Sequence, residues 1–176
     1  KTMPVNDLDQ RLAALQKRVR DLEAIEGIRH TIARYSWAVD TEDEAALRDI
    51  FTDDASIWNK WRDQTYSGKK AILDFFHQHR AKFKFTNRMS NLNERIKVTG
   101  DTGKAEAYHL VMYTHGGESY IGWGTYEWDF RLENGAWRIA KMLIKQSMYS
   151  TLKKGWGMET GRLITPPDLD EVQQRK

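Results

Sequence analysis

The sequence predicts an α+β fold, a cone in which N-terminal helices sit in the hollow of a long, curved antiparallel sheet with one ligand cavity between the layers. Three observations predict it. Apolar residues recur at helical spacing from Leu8 to Val39 and again from Ala71 to Phe76. From Phe83 the period changes to two, in runs rich in aromatic and β-branched residues. Short turn sequences divide that region into four strand-length runs, and runs joined by tight turns pair as antiparallel hairpins.

Leu8, Leu12, Leu15, Val19 and Leu22 are spaced 4, 3, 4 and 3 residues apart, the stripe of an amphipathic helix. Asn6 is placed to cap it, with Asp7 and Asp9 in the first turn. After Gly27 the spacing resumes at Ile28, Ile32, Tyr35 and Val39, so this helix or a second one reaches about Asp40. Thr41 with Glu44 three residues on forms a capping box for a short helix through Phe51. Asp53 and Asp54 follow as a turn. Ile57, Trp58 and Trp61 open a strand that ends near Ser67-Gly68, and Ala71, Ile72, Phe75 and Phe76 line one face of a third helix. The strands are expected over 86–98, 104–115, 120–132 and 137–149, with turns at Thr99-Gly100-Asp101, Gly116-Gly117 and Glu133-Asn134-Gly135. The division that follows is a helical arm over 1–23, one domain over 24–150 and a polar tail over 151–176 containing Pro166 and Pro167.

Composition narrows the function by exclusion. With no cysteine among 176 residues, disulfides, thiolate metal sites and cysteine nucleophiles are ruled out. The 28 basic and 25 acidic residues leave a net charge of +3 with the signs interspersed, which argues against a nucleic-acid partner. No apolar run approaches the roughly 18 residues a membrane span needs. Residues 1–6 have no apolar signal-peptide core, and a cytoplasmic location is favoured. Seven Trp, seven Tyr and six Phe supply both core and flat apolar walls for a pocket.

Phosphate loops, dinucleotide fingerprints, zinc-protease and serine-elbow motifs are all missing. His77 and His79 fall on different sides of a helix. His109 and His115 share a strand face but sit roughly 20 Å apart, so neither pair chelates one ion. No metal and no cofactor are expected. What remains is acid/base chemistry: Tyr35 and Asp40 lie near the end of a helix whose apolar face meets the sheet. A partly desolvated carboxylate there is suited to move a proton. By spacing alone, the pair fits equally a helix terminator beside a core tyrosine.

The runs AIEGIRHTIARYSWAVD (24–40) and LRDIFTDDA (47–55), followed by SGKKAI (67–72), IKVTGD (96–101) and NGAWRI (134–139), resemble the SnoaL-like branch of the nuclear transport factor 2-like superfamily over about residues 22–148. The resemblance implies that superfamily's cone-shaped α+β fold. Within it, the chain looks most like cofactor-independent lyases: bile-acid and scytalone dehydratases, a dehydrochlorinase, and lyases that deformylate lignin-derived diarylpropanes. The pocket Tyr and Asp of the dehydratases match Tyr35 and Asp40. Their catalytic His falls at Met89 and a pocket Asp at Met112, so the usual dyad is missing.

The expected catalytic groups are therefore Asp40, Tyr35 and Arg88. A one-residue bulge would turn Arg88 inward to hold the carboxylate ionised or to stabilise a developing phenolate or alkoxide; without one it is a surface arginine at a strand start. With Met89 facing inward, alternation brings Asn91 and Asn93 in as well. Gln146 falls where a bile-acid dehydratase has a pocket Arg. Trp58, Trp61, Trp123 and Tyr126 are walls or rim, or ordinary core and interface packing. The reading is a lyase acting on a small hydroxylated aromatic, with dehydration plus formaldehyde release from a diarylpropane diol as its specific form. A dehydratase or isomerase of steroid-like or polyketide substrates, and a non-catalytic binding module, are the alternatives. The heptads and an exposed sheet face predict a homo-oligomer, with relatives favouring a trimer over a dimer.

Overall fold

The computed structural model describes residues 5–82 and 88–155, with the backbone alone at 5–6 and 79–82. The expected tail beyond residue 155, the strand start at Phe83 and Thr86, and the His79 side chain lie outside the described residues. Helix α1 runs unbroken over Val5–Thr41, through Gly27 and with Asn6 inside it. It is followed by α2 (Glu44–Ile50), β1 (Phe51–Asn59), β2 (Gln64–Ser67), α3 (Lys69–Lys82), β3 (Arg88–Thr99), β4 (Thr102–His115), β5 (Glu118–Glu133) and β6 (Ala136–Thr151).

Where α1 stops is set by backbone geometry. Glu42 takes a left-handed conformation (φ 62°), and the Asp43 amide reaches back to the Ala38 carbonyl at 2.9 Å, closing the helix in a Schellman turn. Thr41 is therefore still helical and bonds the Trp37 carbonyl. The cap of α2 falls instead to Asp43, whose carboxylate accepts from the Ala46 amide at 2.9 Å. This turn also holds Asp40 in the last turn of α1, beside the sheet.

The six strands form one sheet in the order β2-β1-β6-β5-β4-β3. The meander β3 to β6 is antiparallel, closed by two-residue turns at Gly100-Asp101, Gly116-Gly117 and Asn134-Gly135. Gly116 and Gly117, like Asn134 and Gly135, have positive φ throughout, the twist that a primed hairpin turn requires. The sheet is mixed rather than wholly antiparallel. Because α2 ends directly in Phe51, β1 enters along the free edge of β6 and runs parallel to it, from Phe51 opposite Ile139 to Asn59 opposite Ile144. Asp53 and Asp54 are thus part of β1, not a turn, and the single strand expected before Ser67 is a hairpin of β1 and β2.

Irregular registers curve the sheet. β3 carries one extra residue between Leu92 and Arg95, and β5 and β6 shift register at Trp123/Gly124 and again at Asp129/Phe130. The concave face closes on α1, where Ile28, Ile32 and Tyr35 are at most 2% exposed. Tyr35 meets Phe51, Phe76 and Tyr126 edge-on at 6.2–6.3 Å between centroids, which joins helix, sheet and α3 in one aromatic core. No described helix is long and apolar enough to cross a membrane.

Candidate active site

The inner face of the sheet is a grid whose columns are strands and whose rows are cross-strand partners. One row runs Asn91, His109, Gly124, Gln146 across β3, β4, β5 and β6. The adjacent row runs Met89, Val111, Gly122, Tyr149. The two glycines leave the space that the side chains beside them fill. A Cβ on Gly124 would lie 2.9 Å from His109 Cε1, and one on Gly122 would lie 2.7 Å from Gln146 Nε2.

His109 is 1% exposed, and its Nε2 lies 3.0 Å from Gln146 Oε1. The orientation of that amide follows from its other end: Gln146 Nε2 donates to the carbonyls of Met148 at 2.6 Å and Trp123 at 3.2 Å. Oε1 therefore faces the imidazole as an acceptor, and His109 carries its proton on Nε2. Nδ1 is left with a lone pair, buried and without a partner. Burial lowers the imidazole pKa below 6.5, only partly opposed by the bond to Gln146, so the ring is neutral at pH 7.

The ring stacks on Tyr126, centroids 4.1 Å apart at 23°. Tyr126 donates its hydroxyl to the Met89 thioether at 3.2 Å, a weak acceptor that a substrate oxygen can replace. Burial raises the Tyr126 pKa above its ordinary value; its bond with Tyr35 opposes this and the charge of Asp40 adds to it. Tyr35 is also held well above its ordinary value, first by burial, then by Tyr126 and by Asp40. Both phenols are thus neutral donors. Asp40 accepts from the Met89 amide at 3.0 Å, tying the end of α1 to the start of β3. Asn91 donates to Ser36 Oγ at 2.7 Å, and its Oδ1 is buried without a partner. Buried polar atoms without protein partners mark where water or a ligand completes the hydrogen bonding.

The structure brings together Tyr35, Asp40, Asn91, Tyr126 and Gln146 and adds His109 and Met89. Arg88 does not turn inward. Met89 is the buried residue, anchored through its amide and sulfur, so alternation points Arg88 outward beside exposed Met112, its cross-strand partner. Nor does Asn93 face in: it sits at the β3 bulge in the left-handed region (φ 58°), exposed. Trp58 projects from the outer face of β1 at 42% exposure, while buried Ile57 and Asn59 point inward. Trp123 alternates with Gly122 and Gly124 and so lies on the opposite face from Tyr126. Trp61 is half-buried between β1 and β2, with the Arg62 guanidinium 5.6 Å above its ring. Among the described residues, no three His, Asp or Glu side chains are placed to hold a metal ion.

His109 is the residue that sequence reasoning passed over, having weighed it only as a metal ligand with His115. The signal was the small inward series Gly103, Ala105, Ala107 on β4, ending at a histidine opposite a glycine.

Residues 20–142 match the profile of the SnoaL-like domain. The chain belongs to the SnoaL-like family. Solved structures of similar fold include hexachlorocyclohexane dehydrochlorinase LinA-type3 from Novosphingobium barchaimii LL02, with TM-score 0.68 and 20% identity over 74% of this chain and 91% of that one. A protein from Novosphingobium aromaticivorans DSM 12444 assigned as a scytalone dehydratase gives 0.67 and 17%, over 73% and 87%. An NTF2-like protein with a cystatin-like fold from Novosphingobium aromaticivorans gives 0.60 and 24%, over 81% and 90%. At these identities the likeness is one of fold. No curated protein matches the SnoaL-like chain significantly.

The buried imidazole makes the SnoaL-like domain's stability depend on pH. The unfolded His109 takes up a proton near pH 6.5 and the folded one only at lower pH, so its contribution is complete above 6.5 and falls away as pH drops toward the folded value. The expected slope approaches about 1.4 kcal/mol per pH unit in that window. Urea midpoints between pH 7.5 and 5 measure it. His109→Gln should flatten the profile, and an equally steep decline in that variant would assign the effect to other groups.

Proposed function

We propose that the protein is a cofactor-independent lyase that eliminates a small group from a hydroxylated aromatic substrate. The observation that carries this reading is a neutral, buried imidazole with an unpartnered Nδ1, stacked on a phenol and set near a carboxylate. His109 Nδ1 is the base. Tyr126 and Tyr35, held protonated, donate to the departing or developing oxygen. Asp40 is the second acid/base group, positioned by the Met89 amide. Arg88 has no place in this arrangement. Support also comes from the solved neighbours, one of them a dehydrochlorinase and another assigned as a dehydratase, since both names describe eliminations.

The specific reaction proposed is on a phenolic diarylpropane diol. The benzylic hydroxyl leaves as water with a proton from the phenol/carboxylate cluster, and the substrate's own phenol gives its proton back to that cluster, generating a neutral quinone methide. His109 then removes the proton of the primary hydroxyl. The carbon–carbon bonding pair flows into the quinone methide, formaldehyde departs, and a stilbene remains. Diol becomes stilbene, water and formaldehyde, so no redox partner enters.

Incubation with such diols, following formaldehyde colorimetrically and the stilbene by its near-ultraviolet absorbance, tests the assignment. Both products in equal amounts are expected. Loss of water without aldehyde would redirect the site to dehydration, and binding without turnover of any diol would make the domain a ligand-binding module.

A further inference from the structure

The amino-terminal half of α1 leaves its own domain. Leu8, Leu12, Leu15, Val19 and Leu22 are each 51–64% exposed, and every residue from Leu8 to Glu23 is solvent-facing. At about 100° per residue, this stripe centres on a direction roughly 180° from the face that buries Ile28, Thr31, Ile32, Tyr35 and Ala38. A continuous helix that packs its second half on the sheet therefore aims its first-half stripe away from the sheet. The domain cannot cover it.

The pattern around the stripe selects the occupant. With Leu12 and Val19 at heptad position a, and Leu8, Leu15 and Leu22 at d, the seam is that of a coiled coil. Arg11 and Arg18 fall at g, and Asp9, Gln16 and Glu23 at e. In a parallel pair, g meets the e residue five positions on in the other strand, so Arg18 meets the partner's Glu23 and Arg11 the partner's Gln16. An antiparallel pair would set Arg11 against Arg18 in one register, and Arg18 against Arg18 with Asp9 against Glu23 in the next, so like charges meet in either. Val19, a β-branched residue at one of the two a positions, with leucine throughout d favours two strands over three.

We propose that residues 8–23 pair with the same segment of a second copy of this chain as a parallel, in-register, two-stranded coiled coil. The pairing projects the two SnoaL-like domains to the same end and leaves both inner faces free.

Light scattering of the full chain at tens of micromolar should give the mass of two copies. Leu15→Asp should reduce it to one, with the circular dichroism and melting of the domain retained because Leu15 touches none of it. The absence of cysteine permits a test of orientation: Leu8→Cys and Leu22→Cys should each form an interchain disulfide on their own under mild oxidation. A parent mass of one or three copies, a mass that Leu15→Asp leaves unchanged, or crosslinking only when the two cysteine variants are mixed would each overturn the proposal.

Discussion

Replacing His109 with Gln should lower turnover by about 10²- to 10⁴-fold, the range that a positioned general base supplies, while the protein stays folded. Glutamine nearly fills the volume and can still bond Gln146 through its amide, so the row Asn91, His109, Gly124, Gln146 survives. What disappears is the Nδ1 lone pair. The pH profile carries the sharper signature. A base that must be unprotonated gives kcat/KM a lower limb at the imidazole pKa, which burial holds below 6.5. Gln146→Glu sets a carboxylate against the same ring, favours imidazolium, and should move that limb to higher pH. A merely structural Gln146 would change stability without moving it. Turnover of His109→Gln within threefold of the parent would remove His109 as the base and return that part to Asp40, for which Asp40→Asn is then the deciding variant.

The parts of the fold legible in the sequence are those set by local chemistry. Gly116-Gly117 and Asn134-Gly135 announce their hairpins because few other residues accept positive φ in succession. The stripe Ile28, Ile32, Tyr35 announces a buried helix face. The α2 cap was misplaced by two residues because Glu42, a residue with no special liking for the left-handed region, ends α1 where a glycine would have been the visible signal. Contacts between distant segments left no trace in local pattern. The parallel pairing of β1 with β6 joins residues more than 80 positions apart. In the site, alternation correctly turned Asn91 inward, but the bulge after Leu92 removed Asn93 from the same face. Arg88 failed for the complementary reason, since with Met89 buried its neighbour must point out. His109 needed knowledge of what lies across the strand, and only the β4/β5 register places Gly124 opposite it.

That register makes Gly124→Ala the tightest added methyl among the described glycines. An alanine Cβ would stand 1.9 Å from the Lys145 carbonyl oxygen and 2.9 Å from His109 Cε1. The first obstacle is backbone, held between β5 and β6 at the register shift that bends the sheet, so relief requires separating two central strands. The second is the proposed base. Gly122→Ala is the instructive contrast. Its Cβ would come within 2.5 Å of the Tyr149 ring and 2.7 Å of Gln146 Nε2, side-chain atoms that can move, and 3.1 Å from the Met148 carbonyl. Gly124→Ala is expected to cost about 3 kcal/mol, the upper end for overpacked cores, and to lose activity with the fold. Gly122→Ala should cost clearly less, and because it pushes the amide that holds the His109 tautomer it should depress turnover in the fraction that remains folded. Urea denaturation and turnover of both variants measure the two effects separately. A Gly124→Ala protein as stable as the parent would mean that β5 and β6 do not approach here as described, and the imidazole would then lose the wall that holds it in place.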